Sequence, residues 1–403
     1  MVVLSFAGTG LATVRCLAKG GMKIHAALFP STNSGLETRH CRYCEPISLG
    51  FPPEDEEALC RWLIGFSRSM PQRPVVLPTS DATALFLAQH RPRLEGVCRF
   101  SQTSHDRLHE IISKDRLYRG AEAIGIHVPP MLVAPAPAEV EAWCRENPPP
   151  YFVKPFYGAV RDCALTRKNR LFHSSDELLR YARTTSLRNI LVQRRIDCGD
   201  GRVYDAYGLC GRNGDVLALA SHRRIRQFPP DTGATSYGEI PISSDPALEG
   251  AIFHATRRLL SRFSYHGIFG IEWLHEKGTG KLYLTDFNAR PFSSIGHLAD
   301  CGLNLPLLAY KELAGDGSLP ALVQPRLEPR YWIDFNCDLR SFLAKRGGQT
   351  WRAYALSVLR CRSFAYFDAG DPGPWLCRSL DLLKLVIGHL RRRPRAAVPA
   401  GRG

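Results

Sequence analysis

The sequence predicts an α/β Rossmann-like front end, a larger α+β body and a small, partly helical C-terminal region. Three observations carry that expectation. Strands alternate with helices from Val2 to Gln89, the pattern of a parallel, doubly wound sheet. Antiparallel hairpins dominate between Tyr151 and Arg290, marked by Asn213-Gly214 and by Gly278-Thr279-Gly280 between apolar runs. Beyond Gly315 the patterning weakens, apart from one apolar, amphipathic segment, Trp375–Leu390, followed by Arg391-Arg-Arg-Pro-Arg395.

At 403 residues the chain has room for two or three domains. Its 44% hydrophobic and 23% charged residues are ordinary for a globular protein. The opening run Met1–Ala7 leads straight into Gly8-Thr-Gly10 without a basic region and a long apolar core, so it reads as a buried strand rather than a signal peptide. No stretch is long and apolar enough to span a bilayer, and the 13 cysteines are scattered, often in apolar contexts. A cytoplasmic location is the expectation. One CxxC occurs, Cys41-Arg-Tyr-Cys44, but zinc needs a second ligand pair and none is nearby. Lys and Arg exceed Asp and Glu by a formal +15, which favours anionic partners. No motif that reads DNA or RNA is recognisable, and a solvated tail accounts for the last arginines, with contact to an acidic membrane surface as the other reading.

In order along the chain, a strand is expected over Val2–Phe6, a turn at Gly8–Gly10, a helix over Leu11–Lys19 and a strand over Lys23–Phe29. The Gly8-x-Gly10 pair lacks the third glycine of a dinucleotide fingerprint, because Thr13 stands there, so the sheet serves a ligand other than NAD. A helix over Asp55–Ser67, a strand over Pro74–Leu77 and a helix over Ala82–Gln89 follow. Asp81 caps that last helix or contacts ligand from the carboxyl end of the strand. The body starts with a helix from Lys114 to Gly125 and, after a Pro-rich connector, a helix over Glu139–Glu146. Strands are then expected at Tyr151–Lys154, Asn189–Gln193, Val203–Gly208 and Val216–Ser221. A helix over Pro246–Phe263 precedes a hairpin running from Gly267 to Arg290.

That hairpin holds the chemistry. Side chains alternate along a strand, so Asp286, Asn288 and Arg290 share one face while Phe287 and Ala289 take the other. Glu272 lies on the partner strand. Oxygen donors of this kind suit Mg²⁺, which takes one or two carboxylates and completes its shell with phosphate oxygens. An arginine just beyond them can meet the same phosphates.

The order of elements from Lys114 to Leu313 resembles the ATP-grasp superfamily. The matching stretches are Ser113-Lys114-Asp115 with Gly125-Ile-His-Val-Pro129, Phe152-Val-Lys154-Pro155, Leu191-Val-Gln193-Arg-Arg-Ile196, and Gly270-Ile-Glu272 with Asp286-Phe-Asn288-Ala-Arg290. The pattern looks closest to the carboxylate–amine ligases and carbamoyl-phosphate-synthetase-like members. The resemblance implies a Rossmann-like domain at 1–104 and an ATP-grasp domain at 105–318. The small lobe of that domain spans about 115–190 and the large lobe about 191–318. A C-terminal accessory region with a basic tail covers 319–403. It also implies ATP and Mg²⁺ (or Mn²⁺) as cofactors. Lys114 and Lys154 would meet the phosphates, Gln193 and Ile196 the adenine, and Asp200 the ribose. Glu272, Asp286 and Asn288 would hold the metal, with Arg290, Arg224 and Arg226 on the transferring phosphoryl or an anionic intermediate.

The activity implied is ATP-dependent ligation of a small-molecule carboxylate to an amine. The alternative is a nucleotide-binding sensor or scaffold of the same fold. Two departures from the family pattern bear on this choice. Asp286 stands where Glu is more usual, and the segment after Lys154, Phe156–Ala164, is poorer in glycine and serine than a phosphate-covering lid.

Overall fold

The computed structural model describes residues 1–4, 7–27, 38–44, 55–157, 169–199, 201–230, 232–242, 245–315, 330–344 and 349–391. The lid segment, Asp200 and the arginine-rich tail beyond 391 lie outside the described residues.

The front end consists of β1 (Val2–Leu4), α1 (Ala7–Lys19), β2 (His25–Ala27), β3 (Arg42–Cys44), α2 (Glu56–Arg68), β4 (Val76–Pro78), α3 (Asp81–Gln89) and α4 (Arg91–Leu94). Its four strands are all parallel, in the order β3-β2-β1-β4. Val2 and Leu4 project to one side of the sheet, into a core with Leu59, Leu63 and Phe86, while Val3 turns to Leu17 and Leu77. Gly8 and Gly10 are not a turn but part of α1. The glycine at 8 serves a close approach: a Cβ there would sit 3.0 Å from the Tyr366 hydroxyl. Asp81 does not cap α3; the cap is Ser80, whose hydroxyl accepts from the Thr83 amide at 3.1 Å.

Two short helices, α5 (His105–Ile112) and α6 (Lys114–Glu122), lead into the body. A small antiparallel sheet follows, built from β5 (Met131–Val133), β6 (Tyr151–Pro155), β7 (Arg170–Phe172) and β8 (Ile190–Arg194), with α7 (Pro137–Glu146) and α8 (Ser175–Thr184) packed together against it. The large sheet begins with β9 (Val203–Cys210), β10 (Val216–Phe228) and β11 (Ala234–Ile240). After α9 (Pro246–Arg262) come β12 (Gly267–His275) and β13 (Leu282–Asn288), then α10 (Ile295–Asp300) and α11 (Leu305–Ala314). Gly214, at φ +85°, makes the β9–β10 turn that Asn213-Gly214 predicts.

The C-terminal residues do not stand apart. β14 (Arg330–Ile333) pairs antiparallel with β11, and β15 (Cys361–Phe364) pairs parallel with β14, giving a seven-stranded sheet in the order β13-β12-β9-β10-β11-β14-β15. α12 (Phe335–Ala344) packs on β10, α13 (Trp351–Leu359) follows it, and α14 (Gly373–Arg391) closes the described chain. Among the described residues no helix is long and apolar enough to cross a membrane.

Buried ion pairs tie this region to the rest. Arg15 of α1 donates to the Asp371 carboxylate from Nε and Nη2 at 3.1 and 2.9 Å. Arg226 of β10 donates to both oxygens of Asp338 at 2.8 and 2.7 Å and stacks 4.0 Å from the Tyr237 ring. Asp338 is fully buried, so truncating it strands the half-buried Arg226 guanidinium beside an emptied site. Asp338→Ala should cost about 3–5 kcal/mol of stability, read by urea denaturation.

Candidate functional site: a row of carboxylates across the large sheet

β12 and β13 pair antiparallel with Glu272 directly opposite Asp286 and Gly270 opposite Asn288. Burial alternates as expected from 286 to 290: Phe287 and Ala289 are buried, while Asp286, Asn288 and Arg290 are half-buried on the other face. A bulge at Thr285 shifts the register between Glu272 and Trp273, and the Thr285 hydroxyl donates to Glu272 Oε1 at 2.9 Å.

The same row continues across the sheet. Glu272 is the register partner of Asp205 on β9, and Asp205 is that of His222 on β10. Three carboxylates thus lie side by side on three adjacent strands. Facing like charges destabilise a sheet unless cations separate them. Arg224 separates one pair: its Nη2 lies 2.6 Å from Glu272 Oε2, and its Nε donates to Asp205 Oδ2 at 2.9 Å. Lys114, in the first turn of α6, supplies the other cation, with Nζ 2.7 Å from Asp286 Oδ1. Tyr118, one helical turn further, donates to the Thr285 carbonyl at 2.8 Å and seats α6 on β13.

Charge follows this geometry. Burial lowers the affinity of Lys114 for its proton, but Asp286, Tyr118 and Glu272 outweigh it and hold the ammonium well above the usual lysine range. Burial of Asp205 favours its neutral form, yet Arg224 and His222 overcome it and depress the carboxyl well below the usual range. Burial raises the Tyr118 phenol above its ordinary range, with Lys114 and Gln193 opposing the rise and Asp286 and Glu272 adding to it.

The small sheet contributes Lys154 and Gln193. Phe152 on β6 is the register partner of Gln193 on β8, so Lys154, two residues on, shares its face. Lys154 Nζ donates to Gln193 Oε1 at 2.9 Å. Ile196, just past β8, is buried.

Two predicted arginines sit elsewhere. Arg224 and Arg226 do not share a face, because a bulge between them breaks the two-residue alternation. Arg226 turns to Asp338 rather than to the carboxylate row. Arg290 is drawn to the front end: its Nε donates to Asp81 Oδ1 at 2.8 Å and its Nη1 to the Pro291 carbonyl at 3.0 Å. Asp81 is therefore neither cap nor open ligand contact in this state. Asn288 reaches back to the Gly270 carbonyl at 3.4 Å.

Asp205 is the residue that spacing did not reveal. Its only signal is an acid within an apolar strand, Val203–Cys210, where an unpaired carboxylate is not tolerated. Tyr207 adds its hydroxyl to Asp205 Oδ2 at 3.1 Å, and His222 Nδ1 lies 2.8 Å from the same oxygen.

The donor set fits a hard cation shared with phosphate. Glu272 and Asp286 keep 22% and 31% of their side chains exposed, and Asn288 lies on the same face as Asp286. Among the described residues no three His, Cys, Asp or Glu are grouped to hold a metal by themselves.

No family model and no curated protein matches the sequence. Solved structures match the fold. L-amino acid ligase from Bacillus licheniformis aligns over 82% of this chain and 78% of its own, at 17% identity and a TM-score of 0.60. N5-carboxyaminoimidazole synthetase from Staphylococcus aureus, solved with ADP, aligns over 86% and 84%, at 13% identity and 0.62. The biotin carboxylase domain of 2-oxoglutarate carboxylase from Hydrogenobacter thermophilus, solved with MgADP, ADP and bicarbonate, aligns over 78% and 69%, at 14% identity and 0.61. The chain has the ATP-grasp fold that the order of its motifs implied. Its mixed α/β architecture matches that of these solved structures over most of their length.

The depressed carboxyl of Asp205 makes a pH prediction. A group whose folded pKa is lowered stabilises the protein above its unfolded value, about 3.9, and loses that contribution as pH falls toward the folded value. Wild type should therefore exceed Asp205→Asn in melting temperature at neutral pH. The gap should narrow steadily below about pH 4, read by thermal unfolding across pH.

Proposed function

We propose that the protein is an ATP- and Mg²⁺-dependent ligase that joins a small-molecule carboxylate to an amine or similar nucleophile. The observation that carries this reading is Glu272 directly opposite Asp286, with Lys114 on one of them and Arg224 on the other. The proteins of like fold are ligases and carboxylases, two of them solved with ADP or MgADP. In this reading residues 1–104 are a Rossmann-like domain, 105–318 the two-lobed ATP-grasp domain and 319–403 an accessory region. The whole is cytoplasmic.

Glu272, Asp286 and Asn288 would hold Mg²⁺, which when bound screens the negative charge of the nucleotide phosphates. Lys114 and Lys154 would bind phosphate oxygens as point charges. Gln193 and the backbone near Ile196 would bind the adenine. Asp200, outside the described residues, keeps its proposed place on the ribose.

Chemistry would run in two steps. A carboxylate oxygen of the substrate attacks the γ-phosphorus, the bond to the β–γ bridging oxygen breaks, and ADP leaves an acyl phosphate. The amine nitrogen then attacks the acyl carbon and loses a proton as the carbon–oxygen bond to phosphate breaks. Arg224, fixed by Asp205, stands beside Glu272 to stabilise the charge that develops, and Arg290 would do so once released from Asp81. The protein's work is positioning and exclusion of water from the acyl phosphate.

Two experiments bear on this. Glu272→Gln and Asp286→Asn should each weaken Mg²⁺-dependent ATP binding at least about tenfold, about 1.4 kcal/mol, by calorimetry with Mg²⁺ against EDTA. Unchanged affinity in both variants would sink the metal assignment. A screen of carboxylate and amine pairs, with amino acids as both donors and acceptors, should yield ADP only when both are present. Tight MgATP binding with no ADP from any pair would favour the sensor or scaffold reading instead.

A further inference from the structure

Among the described residues, every exposed large apolar side chain lies between Phe335 and Leu383. On α14 they form a stripe: Leu376, Leu380 and Leu383 stand at i, i+4 and i+7, on one helix face, and are 50%, 57% and 54% exposed. At the foot of that stripe Phe364, Phe367 and Trp375 stack edge to face, with ring centroids 5.6 Å apart at each step. These rings rim a largely apolar groove of about 320 Å³, with Arg378 in its wall. An apolar patch of this kind on an otherwise well-packed chain marks a surface that something covers.

Charge says what covers it. Residues 330–403 hold 14 Lys and Arg but 5 Asp and Glu, a surplus of nine within the chain's formal +15. Arg340, Arg352, Arg360, Arg362 and Lys384 are exposed, whereas Asp334, Asp338, Asp368 and Asp371 are not. Asp338 and Asp371 are buried against Arg226 and Arg15. The surface is therefore apolar at its centre and cationic around it.

We propose that this C-terminal face docks on an acidic lipid surface, with α14 lying in the plane of the interface. The leucine stripe would enter the acyl boundary, Trp375 would sit at headgroup level, and the basic side chains would meet lipid phosphates. A second copy of the chain suits the face less well. A two-fold contact sets the same surface against itself, here one positive surplus against another.

The test is vesicle flotation of the full-length protein, with phosphatidylcholine alone and with roughly one-third phosphatidylglycerol. Wild type should float with the acidic vesicles at least about tenfold more than with the neutral ones, and less as salt rises. Leu376→Glu with Leu380→Glu changes exposed positions only; it should abolish flotation while thermal unfolding and MgATP binding stay as in wild type. Failure to float with either vesicle would overturn the proposal, as would flotation unaffected by the double substitution. So would a dimer in sedimentation that the same substitution dissociates, which would assign the face to a second copy.

Discussion

Across the middle of the large sheet, His222, Asp205, Glu272 and Asp286 occupy one transverse row on β10, β9, β12 and β13. Three neighbouring carboxylates on one sheet face repel one another, and the sheet tolerates them because Arg224 enters between two and Lys114 meets the third. The arrangement binds several elements at once. Lys114 fixes the start of α6, Arg224 fixes β10 against β12, and Thr285 steadies Glu272 from the bulge. Asp205 and His222 are buried, so that end of the row is scaffold. Glu272 and Asp286 are partly open, so that end is where a cation and phosphates would go. One row grades from structure to chemistry.

The flanking parts are held to the sheet by further charged contacts. Arg226 joins β10 to α12 through Asp338, and Arg15 joins α1 to the segment before α14 through Asp371. Arg290 joins the hairpin's end to the start of α3 through Asp81. The last is the least buried of the three and lies beside the proposed phosphate face, so it is the contact a bound substrate would most readily exchange.

Much of this was legible in the sequence where local physics decides. Asn213-Gly214 announces its hairpin because few residues accept the positive φ the turn requires. Strict alternation over Asp286–Arg290 reads directly as one polar and one apolar face. Alternation failed at Arg224 and Arg226, because a bulge adds a residue and reverses the face, and nothing in the local residue types announces it. Asp205 escaped notice because its role arises from register between strands far apart in the chain. Gly8 and Gly10 look like a turn, yet the glycine at 8 answers to Tyr366, more than three hundred residues away. The C-terminal strands are short, and the pairing of β14 with β11 and of β15 with β14 is a tertiary fact rather than a local one.

The central claim is that the open end of the carboxylate row is a metal–nucleotide site. Crystals grown with Mn²⁺ and a non-hydrolysable ATP analogue test it most directly, by anomalous scattering. The account predicts a manganese peak between the Glu272 and Asp286 carboxylates, with the nucleotide phosphates beside it and Lys114 moved from Asp286 onto them. Nucleotide bound elsewhere, or a peak remote from both carboxylates with Lys114 still on Asp286, would contradict it.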